Sequence, residues 1–425
     1  MQSIKLNDII DFNPKVKLEK SDPYSFIPME NITPDMKFVS DVEKKEWQGQ
    51  SSSKFESGDI LFARIYPCLD NRKIAIAKTD GKGFGSTEFF VLRAKEGVAD
   101  QSFVYYLSTS DLIVQTAMNS YVGASGRQRA DLKFIKSSAF DIPSYDKQRK
   151  IAAILSTYDD LIDLNRKQIV LLENMLGELF KEWFVRFRFP DWENEKFVKG
   201  IPSEWAFSEL DEVVEIVKGK SYTSEEIHDE KIEDSIYFIN LKSFHKYGGY
   251  RDSGLKYYTG RYSEAQKVSQ GDIVMAVTDM TQDRAIVGRV ARIPTLNDEF
   301  AIISLDTVKI ISKVYSENFM YCYLRYSSFS ETVKEFANGA NVLHLSPKQV
   351  LKQKVLLPPI ELSKVFNTIA SPMLDKIEAL TEMNAQLELI KQQLLPRLMS
   401  SKLSVDKLDI QYPPSMQTSD EAEEK

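Results

Sequence analysis

Five polar stretches of the sequence carry side chains suited to contacting nucleic acid, and each lies where a loop is predicted. Arginine, lysine, asparagine and glutamine on loops can hydrogen-bond to base edges, and glycine lets the backbone approach a phosphate closely. The candidate contact residues, in chain order, are Arg64, Tyr66, Asn71, Arg72, Lys73, Ser125, Arg127, Gln128, Lys218, Lys220, Tyr222, His245, Lys246, Tyr247, Arg251, Thr278, Gln282 and Arg284. Taken singly, each residue fits an ordinary solvated loop equally well, so the interpretation depends on the whole set and on its recurrence in both halves of the chain.

The sequence offers little for catalysis. Its three histidines are scattered, which disfavours a Ser-His-Asp relay or a multi-histidine metal site. Gly219-Lys220-Ser221 would end a phosphate-binding loop only if position 214 were glycine, and it is Val214. The two cysteines lie in different halves, which disfavours a disulfide framework or a zinc site. We therefore predict a non-catalytic chain that holds no metal.

The chain contains an internal repeat, which is the first organising feature to seek in a sequence of this length. Gly58-Asp59-Ile60 returns as Gly271-Asp272-Ile273, a shift of 213. The stretch that begins at Gly123 returns at Gly339, a shift of 216, and the helical stretches that follow match at a shift of 215. Each half is therefore predicted to be a globular domain followed by a long helix.

Short β-branched and aromatic runs dominate the globular parts. Examples are "DILFARI", "KIAIAK" and "FFVLR" in the first half, and "DIVMAV", "AIVGRVARI" and "TVKIIS" in the second. Glycine, aspartate and asparagine separate these runs as in strands joined by turns. Shorter helices are predicted between the strands and each long helix, so the fold class is α+β rather than regularly alternating βαβ.

Apolar residues recur every seven positions in two long stretches, the period of a coiled-coil seam. The seam residues are Ile151, Tyr158, Asn165, Leu172 and Leu179 in the first, and Phe366, Met373, Leu380, Leu387 and Leu394 in the second. Asn165 at such a position is typical of a residue that sets the register. Pro372 would either kink the second helix or mark its true start.

Two matched seams in one chain most simply pair with each other, antiparallel if the intervening domain carries the chain back. Packing of the helices on the globular domains, or dimerisation, stays open as an alternative. The predicted order is a globular domain (1–143), a long helix (144–188), a linker (189–204), a second globular domain (205–357), a second long helix (358–403) and a disordered acidic tail (404–425). Helices of this length give a rod of roughly 55 Å.

Composition and charge restrict the kinds of partner that the chain can bind. The net charge is −7, and residues 409–425 contribute five acids against one lysine, so the rest of the chain is nearly neutral. That balance disfavours a uniformly basic nucleic-acid binder, and local patches or a partner must supply positive charge. No apolar run approaches the ~20 residues that span a bilayer, and the first ten residues lack the pattern of a secretion signal, so we expect a cytoplasmic protein.

Several longer stretches are typical of one known family. They are "YSFIPMENI" at Tyr24, "GDILFARI" at Gly58, "GSTEFFVLR" at Gly85, "DIPSYDKQRKIAAILSTYDDLIDLNRKQI" at Asp141, "LFKEWFVRFRFP" at Leu179, "GDIVMAV" at Gly271 and "LLPPIELSKVFNTIASPMLDKIEAL" at Leu356. With these stretches the chain resembles the specificity subunit of type I restriction-modification systems. The resemblance covers essentially residues 1–405 and is weaker in the second globular domain, whose loops diverge.

The resemblance implies two similar mixed α/β target recognition domains joined by two long antiparallel coiled-coil helices with pseudo-twofold symmetry. It implies a non-catalytic subunit in which each domain reads one half of a split double-stranded DNA target. The helices would set the spacing of the half-sites and dock two modification (methyltransferase) subunits. S-adenosylmethionine, ATP and Mg²⁺ would be bound by the partners, which include restriction (translocase-nuclease) subunits.

Two other classes of function compete with this one. A two-headed scaffold that binds only proteins would show no specific DNA binding, with or without methyltransferase partners. A solitary nuclease or modification enzyme would need motifs that this chain lacks.

Overall fold

The chain folds into two units, each built around its own globular domain. In a computed structural model that describes residues 2–34, 36–40, 42–251, 255–296 and 298–417, the first unit is Met1–Asn165 with Asn384–Lys425 and the second is Arg166–Met383. Each long helix therefore contributes one part to each unit. Within the described ranges, no helix is both long enough and apolar enough to cross a membrane.

The first unit holds eleven described strands and four short helices before its long helix. The strands are β1 (Gln2–Lys5), β2 (Ile10–Phe12), β3 (Pro23–Ile27), β4 (Phe38–Val39), β5 (Lys44–Glu46), β6 (Ser53–Glu56), β7 (Ile60–Ala63), β8 (Ile74–Ala77), β9 (Lys82–Gly85), β10 (Phe89–Ala94) and β11 (Ala139–Ile142). The helices are α1 (Leu6–Ile9), α2 (Gln101–Thr109), α3 (Asp111–Asn119), α4 (Leu132–Ser137) and the long α5 (Tyr145–Phe184).

Two larger sheets and one two-stranded sheet form the first domain. One larger sheet has the order β2-β10-β7-β8-β4, and the other has the order β5-β3-β9-β6 with β3 and β9 parallel. All four residues of β7 and of β8 are buried, so these strands read as continuous apolar runs rather than as alternating ones. The first and last strands of the domain, β1 and β11, pair antiparallel.

The second unit repeats this arrangement. Its strands are β12 (Phe197–Val198), β13 (Ile201–Pro202), β14 (Ala206–Glu209), β15 (Val214–Lys218), β16 (Ile227–His228), β17 (Ile236–Ile239), β18 (Lys256–Tyr258), β19 (Lys267–Val268), β20 (Ile273–Ala276), β21 (Thr278–Asp279), β22 (Val290–Arg292), β23 (Ala301–Ile303), β24 (Thr307–Ser312), β25 (Leu343–His344) and β26 (Lys354–Leu357). Its helices are α6 (Leu210–Val213), α7 (Glu317–Tyr326), α8 (Phe329–Val333), α9 (Pro347–Leu351) and the long α10 (Ile360–Met399).

The main sheets of the two domains share four strands in the same order, and β4 has no counterpart in the second main sheet as described. The order β15-β24-β20-β22 corresponds to β2-β10-β7-β8, and β14 pairs with β26 as β1 pairs with β11. The parallel pair β3 and β9 returns as β17 and β23. Even a helix cap recurs, since Asp100 and Ser316 accept the backbone N–H of Phe103 and Phe319 at the start of α2 and α7. The internal repeat read from the sequence is confirmed.

The repeated Gly-Asp-Ile motif is a turn that starts a buried strand. Gly58 and Gly271 have φ of 94° and 89°, a left-handed conformation that glycine adopts without steric cost. The next residue, Asp59, accepts the backbone N–H of Glu56 at 2.7 Å and two hydrogen bonds from Arg93 on β10 at 2.7 and 2.8 Å. The motif therefore fixes both the turn and the pairing of neighbouring strands.

The second copy of the motif works in the same way. Asp272 accepts the backbone N–H of Ser269 at 2.8 Å and pairs with Lys309 on β24 at 2.7 Å. The partner is a lysine here, two positions earlier on the central strand than the counterpart of Arg93, but the acid keeps both of its roles. The physical need for a carboxylate after the glycine explains why this short motif is preserved between otherwise divergent halves.

Both long helices are confirmed, with bounds of Tyr145–Phe184 and Ile360–Met399 against the predicted 144–188 and 358–403. Helix α10 runs through Pro372, so this proline does not mark the start of the helix. Proline lacks the N–H that would bond the carbonyl four residues earlier, so the ladder loses one bond there.

The long helices contact each other inside each unit, and they run antiparallel in the first. In the first unit, Asp159 forms an ion pair with Lys391 at 2.8 Å, and Asn165, further along α5, donates to Asn384, which precedes Lys391 on α10. In the second unit, the ring of Trp183 lies 5.8 Å from that of Phe366. In the first unit, residues that come later on α5 thus contact residues that come earlier on α10, as in an antiparallel pair.

The predicted seam positions face inward. Ile151, Asn165, Phe366 and Leu380 are buried, and the other six seam residues are half-buried. Some apolar residues between the heptad positions are not buried. For example, Met175 and Met383 are 60% and 49% exposed. The seam is therefore narrow, and apolar surface remains on the outside of the helices.

The prediction of a disordered tail is wrong for residues 404–417, and residues 418–425 lie outside the described residues. Val405 is buried, Asp406 pairs with Lys147 at 2.8 Å, and the backbone N–H of Ser415 donates to Asp160 at 3.0 Å. The acids that suggested disorder lie mostly beyond this segment, whereas the apolar Val405 packs against the core of the first unit.

Candidate nucleic-acid interface

Two polar loops of the first domain lie side by side. The loop 64–73 joins β7 to β8, and the loop 122–129 is a hairpin in which Val122 and Arg129 bond through their backbones. The N–H of Tyr66 donates to the carbonyl of Gln128 at 2.9 Å, and the N–H of Ala130 donates to the carbonyl of Arg64 at 2.8 Å. Two stretches far apart in the sequence thus form one surface, as a shared binding role requires.

The second domain contains the same pair of loops. The N–H of Leu345 donates to the carbonyl of Val277 at 2.8 Å, which matches the bond from Ala130 to Arg64. Strands β21 and β25 then pair Thr278 with His344, as Ile65 pairs with Arg129 in the first domain. The internal repeat therefore extends from the core to the backbone hydrogen bonds that hold the loops together.

A single carboxylate organises the arginines of the first loop pair. Glu88 accepts from Nη2 and Nε of Arg129 at 2.7 and 2.9 Å, and from Nε of Arg64 at 3.2 Å. The hydrogen bonds from Arg129, followed by the charge of Arg64, hold the pKa of Glu88 below its usual value despite the opposing effect of burial. Glu88 therefore stays ionised at neutral pH and carries both guanidinium groups.

A buried carboxylate shapes the corresponding loop of the second domain. Asp279 accepts the N–H groups of Thr281, Ile286 and Val287 at 2.9, 2.8 and 3.1 Å and the hydroxyl of Thr281 at 2.7 Å. Burial alone would raise the pKa of Asp279, but these hydrogen bonds outweigh it and lower the pKa. The loop is thus closed around a fixed charge that faces inward.

The first-domain candidates divide into exposed residues and residues that hold the loop. Tyr66, Asn71, Ser125 and Arg127 are exposed, and Gln128 is half-buried. Arg72 donates to the carbonyl of Thr109 at 2.7 Å and pairs with Asp111, and Lys73 donates to the carbonyl of Met29 at 3.0 Å. Arg72 and Lys73 therefore anchor the loop to the domain in this structure.

Two further candidate stretches of the second domain lie next to its loop pair. The N–H of Tyr247 donates to the carbonyl of Ala285 at 3.1 Å, and this brings the stretch 245–251 against the loop after β21. The N–H of Gly219 donates to the carbonyl of Thr307 at 3.2 Å, next to Asp306. The exposed candidates here are Lys218, Tyr222, His245, Lys246, Tyr247, Arg251 and Gln282, and Lys220 is half-buried.

Two second-domain candidates are engaged elsewhere. Thr278 is buried, and its hydroxyl donates to Asp306 at 2.9 Å, so its side chain does not reach the surface. Arg284 forms an ion pair with Glu335. Burial of Thr278 follows from its position in β21, which the sequence pattern placed in a loop.

Sequence reasoning missed the acids that organise these surfaces. Glu88 and Asp306 each stand immediately before the central strand of their domain, β10 or β24, and each bonds a residue that follows the Gly-Asp-Ile strand. Their shared position in the two repeats was the signal that could have identified them. Within the ranges that the structure describes, no three His, Cys, Asp or Glu residues lie close enough to hold a metal ion.

The sequence of the chain matches the model of one protein family. The family described as "Type I restriction modification DNA specificity domain" matches residues 1–174 and again residues 202–389. The chain therefore belongs to this family, and its function is that of a DNA sequence-specificity subunit, a non-catalytic component of a type I restriction-modification system.

Named relatives agree with this placement. The chain is similar to the type I restriction enzyme MjaIX specificity subunit of Methanocaldococcus jannaschii, with 26% identity and coverage of 83% of this chain and 79% of the relative. It is also 26% identical to the Escherichia coli EcoAI specificity subunit, over 41% of this chain and 32% of that protein. Its fold is similar to the crystal structure of a type I restriction-modification S subunit from M. genitalium, with a TM-score of 0.51 at 18% identity, covering 93% and 95% of the two chains.

Proposed function

We propose that each loop pair reads one half of a bipartite double-stranded DNA target. The observation that carries this proposal is the duplicated loop pair itself, held by matching backbone hydrogen bonds in both domains. Loops fixed on a rigid sheet can present side chains to a groove without losing much conformational entropy on binding. One such surface in each domain suits a target with two separated halves.

The chemistry of the two surfaces differs, which suits an asymmetric target. The first presents the arginines held by Glu88 together with Tyr66 and Gln128. Arginine pairs bidentately with the O6 and N7 atoms of guanine, or with phosphate. The second presents lysine, aromatic and amide groups, so the two domains would favour different bases.

We further propose that the long helices dock two methyltransferase subunits, and that restriction subunits join the complex. Each unit leaves apolar side chains exposed on its part of the helices. These are Leu161, Leu164, Leu389 and Ile390 in the first unit, and Val170, Leu171, Met175, Val365, Ile369 and Met383 in the second. Exposed apolar residues of this number support a protein-binding role for the helices.

The cofactors follow from this division of labour. We propose that the methyltransferase subunits bind S-adenosylmethionine and that the restriction subunits bind ATP and Mg²⁺, while this chain supplies sequence recognition and spacing. Because the substrate is DNA of the cell or DNA that enters it, we place the complex in the cytoplasm.

One experiment separates this proposal from its rivals. The purified chain is incubated with DNA and labelled S-adenosylmethionine, alone and together with the methyltransferase subunit of its system. We expect label in adenine only when both proteins are present. Methylation by the chain alone would show a solitary enzyme, and absence of sequence-specific binding with the partner would favour a protein scaffold.

A further inference from the structure

One acidic residue connects the two recognition loops of the first domain. Arg64 directly follows β7 and opens the first loop, and Arg129 closes the hairpin of the second, so the two arginines are 65 positions apart in the sequence. Glu88 bonds both, and it grips Arg129 through two nitrogens. A guanidinium held at two points by a carboxylate loses rotational freedom, so its remaining donors point in a defined direction.

An acid at this place works against DNA binding in the simplest electrostatic sense. Its negative charge repels phosphate, and it cancels one of the two positive charges beside it. The side chains of Arg64 and Arg129 are nevertheless 33% and 42% exposed, whereas that of Glu88 is 19% exposed. The arginines therefore offer donors to solvent while the acid lies behind them.

The second domain shows which part of this arrangement is particular to the first. Asp306 stands where Glu88 stands and likewise accepts a hydrogen bond from a residue that follows the Gly-Asp-Ile strand, Thr278 of β21. The positions of the two arginines are taken by Val277 and His344. An acid before the central strand is thus common to both domains. Among the described residues, the acid at this position holds two arginines in the first domain and none in the second.

We propose that Glu88 is a positioning residue for DNA recognition by the first domain. Glu88 holds Arg64 and Arg129 in the orientation in which they contact the target, and its negative charge weakens binding to other DNA. This inference rests on the proposed function. The carboxylate of Glu88 reduces the attraction between the two arginines and any DNA. Target DNA compensates for this reduction, because its acceptor atoms lie opposite the fixed guanidinium groups. DNA of another sequence meets a local charge of +1 rather than +2, in a geometry that it cannot adjust.

The test uses the full chain assembled with its methyltransferase subunits and a pool of DNA duplexes. Each duplex carries two randomised blocks separated by gaps of several lengths, and the bound fraction is sequenced. The variants are Glu88→Gln and Glu88→Asp. Asp80→Asn is the matched control, because Asp80 is an exposed acid of the same domain that pairs with Lys44. It follows the C-terminal end of β8, whereas the loop 64–73 precedes the N-terminal end of that strand.

We expect Glu88→Gln to lower base preference about tenfold at positions in one half of the enriched sequence, as for the loss of one bidentate contact. The other half and the gap should be unchanged. Affinity for an unrelated duplex should rise several-fold, with a steeper dependence on salt by roughly one charge. Glu88→Asp keeps the charge, so it should lose part of the base preference but bind unrelated DNA as the wild type does.

Several results would overturn this inference. They are equal loss of preference in both halves, unchanged preference in both, or the same change in Asp80→Asn. A uniform loss of binding with a lower melting temperature would show that Glu88 only maintains the fold. If the wild-type complex enriched no sequence at all, the proposed function itself would fail, and that outcome is distinct from the others.

Discussion

Asn165 on the first long helix donates a hydrogen bond from its Nδ2 to Oδ1 of Asn384 on the second, over 2.9 Å. Asn165 is 6% exposed and Asn384 is half-buried, and both belong to the first unit, near the middle of their helices. Sliding one helix past the other would leave both amides without this partner in a mostly apolar seam. A polar pair of this kind selects one register at some cost in stability.

Replacing one asparagine should destabilise the first unit more than replacing both. Asn165→Leu leaves the amide of Asn384 without its partner, and we expect a loss of about 1 kcal/mol in the free energy of unfolding. Asn165→Leu with Asn384→Leu removes both polar groups and should recover that loss. Urea denaturation of the two single variants and the double variant measures the coupling. Additive losses would mean that the pair does not fix the register.

The Gly-Asp-Ile turns should differ in how much each stabilises its domain. The side chain of Asp59 is 2% exposed and bonds Arg93 twice, whereas that of Asp272 is 25% exposed and bonds Lys309 once. We expect Asp59→Ala to cost about 2 to 3 kcal/mol and Asp272→Ala about 1 to 2 kcal/mol. Hydrogen exchange followed by mass spectrometry should localise each loss to its own domain. A larger loss of stability for Asp272→Ala than for Asp59→Ala would show that burial of the carboxylate does not determine how much the turn stabilises its domain.

Lys37 should make stability depend on alkaline pH. It is 4% exposed and donates to Ser156 at 2.7 Å. Burial lowers its pKa from 10.5 to about 8, against the opposing charges of Asp159, Asp160 and Asp100 and with a further lowering by Lys391. The folded state therefore binds the proton less tightly than the unfolded state does.

The sign of the effect follows from that difference. Below about pH 8, Lys37 is protonated in both the folded and the unfolded state, so the cost of burying its charge is constant. Between about pH 8 and 10.5, Lys37 keeps its proton only in the unfolded state. Wild-type stability should thus rise relative to Lys37→Met across that window, by on the order of 2 to 3 kcal/mol. A constant difference in the free energy of unfolding between the two proteins from pH 7 to 10.5 would contradict the lowered pKa of Lys37. Comparison with the variant removes the contribution of other titrating groups.

The parts of the fold that follow from periodic burial could be predicted from the sequence. The heptads of both long helices, the buried β7 strand and its repeat, and the order of domains were predicted, because burial of one face imposes a regular pattern on the residue types. Helix bounds differed by a few residues at the C-terminal ends, where α5 stops at Phe184 rather than at 188. The sequence did not predict that residues 404–417 are ordered, because a single buried apolar residue such as Val405 gives no periodic signal.

The candidate site could be predicted only as a set of loops. Which side chain is exposed depends on tertiary partners, and these are not encoded in local composition. Arg72 and Thr278 have the residue types of DNA contacts, yet one is anchored to Thr109 and Asp111 and the other is buried against Asp306. Conversely, Glu88 has the wrong charge for a DNA contact, and only the structure shows that it links two loop arginines.

The most direct test of two independent reading domains is to exchange one of them. Residues 1–143 are replaced by the corresponding domain of another specificity subunit of known target, and methylated positions are sequenced across the genome of cells that carry the hybrid system. We predict that one half of the methylated sequence changes to that of the donor, while the other half and the gap stay as they were. A change in both halves, or a changed gap, would contradict the account.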